Sequence, residues 1–329
     1  MLTERSAHLR VRSKGSTMTL GEKVEFRGRC DASGGIAVDE TSWIGGNDEE
    51  NSLLLYATGG GGAADPPILP LSDFLGIPTV GDDLEADLES ATAVGDVVYW
   101  LASHSQSKKG KPRPYRHRLF ATRIRHEAGS PQLERVGTPC TTLRDTLVAD
   151  PRFAPFALAA AATLPPKAPG GFNLEAICAT PDGATLWIGF RNPIPDGKAL
   201  LVGVLNPTGI TAGVAPVLSD PTLVDLQGLG FRDMVWTGSE YLVLAGDFLD
   251  RADPGARPSQ LFRWGGPGSA AESLGIDFGD LNPEALVRFS SGRTLVVSDD
   301  GTRKCDGDIE CKDVKDWSKK GFRAVWLAA

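Results

Sequence analysis

The sequence predicts an all-β chain folded as a β-propeller, with five blades as the first reading and six as the alternative. A unit of carboxylate, strand, turn, strand and polar exit occurs five times; its spacing is that of a radial repeat; and 39 glycines and 23 prolines break the chain into short segments.

The clearest copy runs from Asn173 to Pro193, NLEAICATPDGATLWIGFRNP. Glu175 leads, an apolar run follows, Asp182-Gly183 turns the chain, a second run extends from Thr185 to Phe190, and Arg191-Asn192 form the exit. An Asp-Gly step between two short runs rich in β-branched and aromatic residues is a hairpin signal, because glycine accepts the positive φ of a tight turn. The other copies begin at Glu89 (turn Gly95-Asp96, exit Ser103-His104), Asp233 (turn Gly238-Ser239, exit Asp247) and Glu284 (turn Ser291-Gly292, exit Asp299-Asp300). A weaker copy begins at Asp31, turns near Asp39-Glu40 and exits at Asn47-Asp48. The leading carboxylates are 58, 86, 58 and 51 residues apart. Repeat periods of roughly 40 to 50 residues with four strands per repeat mark a propeller.

In chain order, Lys23 to Gly28 alternates apolar and polar residues and precedes the first unit. A third strand follows each hairpin: Ser52 to Thr58, Arg118 to Ile124, Ala199 to Leu205, Gln260 to Trp264 and Phe322 to Leu327. Segments such as Pro221 to Leu226 and Ser273 to Phe278 read as outer strands. The last third strand has no outer partner after it, so Lys23 to Gly28 is expected to complete the final blade and close the ring, removing free sheet edges. The 86-residue interval is too long for one blade. Its Ala- and Leu-rich stretch around 141–166 predicts a helical insertion, with a degenerate sixth blade as the alternative. The whole of 1–329 is expected to be one domain, since each blade packs only on its neighbours.

A net charge of −8 argues against nucleic acid as the main partner. No apolar run reaches the roughly 20 residues that span a bilayer. The N-terminal MLTERSAHLRVRSKG is charged and lacks the apolar centre of a signal peptide, so the expected compartment is the cytoplasm. Five cysteines, an odd number in a long chain, argue against a disulfide framework. Cys178 reads as core; Cys305 and Cys311 read as free thiols, with a small closed loop or a metal site as alternatives. The basic loop after the second hairpin (SHSQSKKGKPRPYRHR) and the mixed-charge loop after the last are placed to rim the channel.

Residues at one repeated inner position of a propeller form a ring. Asp31, Glu89, Glu175, Asp233 and Glu284 are all carboxylates, and five like charges repel unless a cation or basic groups neutralise them or some are protonated. Oxygen ligands suit a hard divalent ion, Ca²⁺ first. The alternative is structural: carboxylates accepting hydrogen bonds from neighbouring blades. Lys167, Arg191, Asn192 and Arg232 lie beside the ring in sequence and suit an anionic group; salt bridges between blades are the alternative. His104, at a hairpin exit, is the candidate general base, and Asp300 the second. The motifs of serine hydrolases, zinc proteases and P-loop proteins are absent.

With the repeats laid out, the chain resembles the bacterial family known as domain of unknown function 3616, a group of propellers. The resemblance rests on CDASGGIAVD, the DLES unit with YWLASHSQSKKGKPRPYRHRLFAT, PPKAPGGFNLEAICATPDG, GFRNPIPDGKALLVGVLNP, GLGFRDM, NPEAL and SDDGTR. It implies a fold and no activity. The carboxylate starts also look like those of phytase-like and gluconolactonase-like propellers, many of which hold a divalent metal in the channel; that comparison is one of fold. Two functions are therefore expected. One is a divalent-metal-dependent hydrolase of a small anionic ester, phosphoester or lactone at the channel mouth. The other is a non-catalytic propeller that binds a protein or ligand. The sequence leaves the oligomeric state open.

Overall fold

The turn glycines marked in the sequence take the backbone that tight hairpins need, with φ of 62° at Gly95 and 69° at Gly183. The hairpins they close assemble, in a computed structural model describing residues 18–47, 50–82, 84–127 and 130–328, into a five-bladed β-propeller. The charged stretch at residues 1–15 and Asp48 lie outside the described residues.

After β1 (Thr19–Arg27), the first blade contains β2 (Gly34–Ala37), β3 (Ser42–Gly46), β4 (Ser52–Ala57) and β6 (Leu69–Pro70), with β5 (Gly61–Gly62) lying parallel to β1. The second contains β7 (Leu88–Val94), β8 (Val97–Ala102), β9 (Leu119–Glu127) and β10 (Ser130–Cys140). The third contains β11 (Asn173–Ala179), β12 (Leu186–Asn192), β13 (Ala199–Val204) and β14 (Thr222–Val224). The fourth contains β15 (Gly230–Trp236), β16 (Tyr241–Gly246), β17 (Gln260–Trp264) and β18 (Ala271–Ser273). The fifth contains β19 (Pro283–Arg288), β20 (Thr294–Ser298) and β23 (Gly321–Ala328), a small hairpin of β21 (Lys304–Asp306) and β22 (Ile309–Glu310) projecting between the last two. Its outer strand is β1, antiparallel to β23 with Val24 opposite Ala324. The expected closure by Lys23 to Gly28 therefore forms, at Thr19–Arg27.

Each blade buries apolar residues on both faces, so the core is divided among the five interfaces. One cluster fills each: first to second around Trp100, second to third around Phe190, third to fourth around Phe231, fourth to fifth around Leu244, and fifth to first around Trp43. At the closing seam Phe26 stacks on Phe322, and Trp43 on Tyr56, with ring centroids 5.1 and 4.8 Å apart. Burial of these rings, at roughly 25 cal/mol per Å² of apolar surface, holds the seam together.

Among the described residues the 86-residue interval holds no sixth blade. It supplies the long outer strand β10 and then a helical insertion, α1 (Leu143–Ala149) and α2 (Leu158–Ala161). Leu143, Leu147, Phe153 and Leu158 bury into the second-to-third interface.

One expectation is corrected outright. Cys30 and Cys311 form a disulfide across 281 residues, tying the start of the first blade to the last blade's loop. The odd total misled because pairing depends on which sulfurs the closed ring brings together. Cys140, Cys178 and Cys305 are free, and Cys178 is core as expected. No helix of the described residues is long and apolar enough to cross a membrane.

Candidate active site

The innermost strands carry the chemistry through a shared backbone irregularity. Pairing with the next strand shifts register between Leu88 and Ser90, between Leu174 and Ala176, between Phe231 and Asp233, and between Pro283 and Ala285. Each shift leaves one extra residue out of the ladder, and such bulges re-aim side chains. The extra residues are Glu89, Glu175, Arg232 and Glu284, and all four line one cavity of about 840 Å³ on the propeller axis. In the fourth blade the ring position is thus held by Arg232, not by Asp233 as the sequence spacing suggested.

Asp233 lies one residue past the bulge, outside the cavity lining, and seals the channel. Its Oδ1 accepts hydrogen bonds from Ser90 Oγ at 2.6 Å and from the Met234 amide at 2.8 Å. Its Oδ2 accepts from the Leu286 amide at 2.7 Å, and Ser90 Oγ accepts from the Ile177 amide at 3.1 Å. All five blades meet here, so closely that a Cβ on Gly34 of the first would stand 2.9 Å from Ser90 Cα of the second. Burial pushes the Asp233 carboxyl up to about 7, against the pull of its three hydrogen bonds.

Above this plug sits a buried ion-pair cluster. Arg232 donates from Nη1 to Glu284 Oε1 at 2.6 Å and lies 3.4 Å from Glu175 Oε2. Glu175 Oε1 also accepts from Arg191 Nη1 at 2.7 Å and from Asn173 Nδ2 at 2.6 Å. Three ring glutamates would repel; the guanidinium at the fourth position, with that of Arg191, offsets part of their charge. Burial, opposed by the pull of Glu175, Glu284 and Glu89, leaves the Arg232 pKa raised. Glu284 is pushed up to about 7, first by burial and then by the charge of Asp299. It therefore exchanges its proton near neutral pH.

The divalent ion expected from the carboxylate ring finds no such cage. Among the described residues no three Asp, Glu, His or Cys side chains gather in a group able to hold a metal ion. Arg191 and Arg232 stand between the carboxylates instead. Asp31, in the loop before β2, and Glu89 do line the cavity.

The remaining predicted residues separate. Lys167 lines the cavity at its rim, where Nζ pairs with Asp250. Arg191 lines the cavity too, but its donors are committed: Nη1 to Glu175, Nε to the Asp247 carbonyl at 2.8 Å and Nη2 to the Leu249 carbonyl at 3.0 Å. Asn192 is not at the cavity; its Nδ2 donates to the Pro166 and Ala168 carbonyls at 2.8 and 2.7 Å, fixing the loop that presents Lys167. Asp300 lines the wall, where Arg323 donates to its two oxygens from Nε at 2.7 Å and Nη2 at 2.8 Å, so both are engaged by the fold.

His104 is also corrected. Its ring is fully buried away from the cavity lining, with Nδ1 2.7 Å from the Ala102 carbonyl and the His117 ring 6.0 Å away. Burial, with the neighbouring His117, drives it down to about 3. A neutral imidazole at that depth takes no proton from a cavity water.

Two further cavity residues, Arg116 and Asp87, escaped the sequence reading, and the Asp299 exit falls at the cavity as well. Arg116 donates to Asp87 Oδ2 at 2.6 Å and also pairs with Glu85. Asp87 holds a positive φ of 58°, and burial raises its pKa despite Arg116. Asp299 sits beside Glu284, and its Oδ1 accepts from the Gly301 amide at 2.7 Å. The positive φ of a non-glycine carries no sequence signal, so Asp87 was not legible; Arg116 stands in the basic loop expected to rim the channel, where nothing in the sequence set it apart from its basic neighbours.

Among the described lining residues eleven are acidic and nine basic. At the buried floor Asp87, Glu89 and Glu175 stand with Arg191 and Arg232, whereas Lys108, Arg251 and Lys312, together with Asp253 and Asp280, are exposed at the rim.

A family model described as "Protein of unknown function (DUF3616)" matches residues 120–293. No curated protein matches the chain. Among solved structures, an oxidoreductase described as a glucose dehydrogenase from Thermus thermophilus is 13% identical, with 94% of this chain and 100% of that one covered and a TM-score of 0.45. An exo-β-1,3-galactanase from Phanerochaete chrysosporium is 10% identical over 91% of this chain and 60% of its own, at a TM-score of 0.44. The WD40 β-propeller domain of Doa1 is 8% identical over 95% and 98%, at 0.36. These similarities are too low to carry any functional argument.

Proposed function

We propose, for a chain that belongs to the DUF3616 family, that the axial cavity is an acid–base site for a small polar molecule. The observation that carries this reading is the ring itself. Three glutamates and one arginine, delivered by the same bulge in four blades, face one cavity, and Glu284 titrates near 7. A group with that pKa serves as general acid when protonated and general base when not. A cavity of about 840 Å³ suits a small molecule.

The reaction class that fits is hydrolysis of an anionic ester, phosphoester or lactone. Lys108, Lys167, Arg251 and Lys312 at the rim would hold the substrate's anionic group. Glu284 would pass a proton to the leaving oxygen or take one from water, and Arg232 would stabilise negative charge developing at the floor. The Cys30–Cys311 bond supports an oxidising compartment over the cytoplasm.

The test is turnover of p-nitrophenyl esters, phosphoesters and lactones by the purified chain, followed from pH 5 to 9. The expected profile of kcat/KM has a limb near pH 7 that Glu284→Gln removes, while Arg232→Met lowers kcat. Binding without turnover, seen as a rise in Tm with small anions, would leave a non-catalytic binding propeller. Neither turnover nor binding would end the small-molecule reading.

A further inference from the structure

We infer that Cys305, Cys311 and Cys30 form an intramolecular thiol–disulfide exchange site at the cavity rim. Cys311 is fully buried and Cys30 nearly so, joined to one another. Cys305 is free and half-buried, the only one of these three sulfurs carried by a partly exposed residue. Its Sγ lies 3.8 Å from the Gly321 carbonyl, and Cys311 Sγ lies 3.6 Å from the same oxygen. Two sulfurs against one carbonyl are neighbours.

Local structure supports the approach. The hairpin of β21 and β22 pairs Lys304 with Glu310 and Asp306 with Ile309, and the register shifts between Lys304 and Asp306. Cys305 is the residue at that irregularity, and Cys311 follows directly on the opposite strand. The other free thiols are remote from this chemistry: Cys140 and Cys178 are buried in the second and third blades.

The step balances without an external oxidant. The Cys305 thiolate attacks Cys311 Sγ, the bond from Cys311 to Cys30 breaks, and Cys30 leaves as a thiolate that takes up the proton Cys305 gave to solvent. The disulfide then joins residues six apart within one hairpin, and the strap across 281 residues is open. Both ends of that strap belong to the cavity wall. Asp31 follows Cys30, while Arg303 and Lys312 flank the exchanging hairpin, and all three line the cavity. Exchange therefore frees one wall of the site from the start of the chain.

The experiment traps the leaving thiol. Full-length native protein is incubated at pH 8 with iodoacetamide, quenched with acid at intervals, digested without reductant and mapped by mass. The expected product carries a Cys305–Cys311 bond and an alkylated Cys30, forms at a rate independent of protein concentration, and melts roughly 5 °C lower because the long loop is released. In Cys305→Ser the Cys30–Cys311 bond persists and Cys30 stays unlabelled. The inference is overturned if the sole product is alkylated Cys305 beside an intact Cys30–Cys311 bond, or if Cys305 pairs with Cys30.

Discussion

Asp233 and Glu284 stand in neighbouring blades, one residue apart in repeat register, and burial pushes both carboxyls up to about 7. Their surroundings are opposite. Asp233 is sealed between a serine hydroxyl and two backbone amides from the fourth and fifth blades, with nowhere for a ligand to enter. Glu284 faces the cavity, with Arg232 on one side and Asp299 near it. A perturbed pKa therefore marks burial in both cases and a reactive group in only one. What separates them is whether the lone pairs are already used. The two arginines repeat the lesson: Arg191 has every donor group committed, whereas Arg232 is held only by carboxylates that are themselves open to the cavity.

The sharpest test of this division is stability. Asp233→Ala removes three hydrogen bonds that join three blades and strands two buried amides, so it is expected to cost about 3 kcal/mol or more, read from the urea midpoint. Glu284→Gln keeps shape and hydrogen bonding at the cavity and should stay within about 1 kcal/mol of the parent at pH 7. Equal losses would erase the distinction between a sealed and an open carboxylate.

The pH dependence of stability gives a smaller effect with a definite sign. Both folded pKa values lie above the ordinary 3.8 and 4.5, so between those values and about 7 the folded state binds more protons than the unfolded. Their stabilising contribution is complete below pH 4 and is lost as pH rises towards 7. Denaturant midpoints measured from pH 4 to 8 should fall less steeply in Glu284→Gln than in the parent. An unchanged slope would show that Glu284 does not titrate there.

The smallest expected effect is at the rim. Lys167 and Asp250 pair where both are partly exposed, so Asp250→Asn should change stability by under about 0.5 kcal/mol. The same substitution frees the Lys167 ammonium and should lower KM for an anionic substrate. A large loss of stability instead would make this pair part of the fold.

The architecture was legible because it follows from local periodicity. Alternating short runs, turn glycines at fixed offsets and a recurring carboxylate are properties of each segment alone, and they sufficed for five blades, for closure by the N-terminal strand and for a helical insertion in the long interval. Glu89, Glu175 and Glu284 were likewise found by repeat position. The sequence alone thus determined the blades, their order and the kind of residue brought to the axis.

Tertiary structure decided the rest. A bulge shifts a side chain by one position without any mark in composition, so it alone settled that Arg232 and not Asp233 completes the ring. His104 sat at a promising hairpin exit, yet only packing could bury it. The Cys30–Cys311 bond joins the two ends of the fold, and proximity across 281 residues exists only once the ring has closed. Periodicity is written in neighbouring residues, whereas register, burial and contact between distant segments arise only when the blades pack, and these determine which charged groups are spent on the fold and which remain free to react.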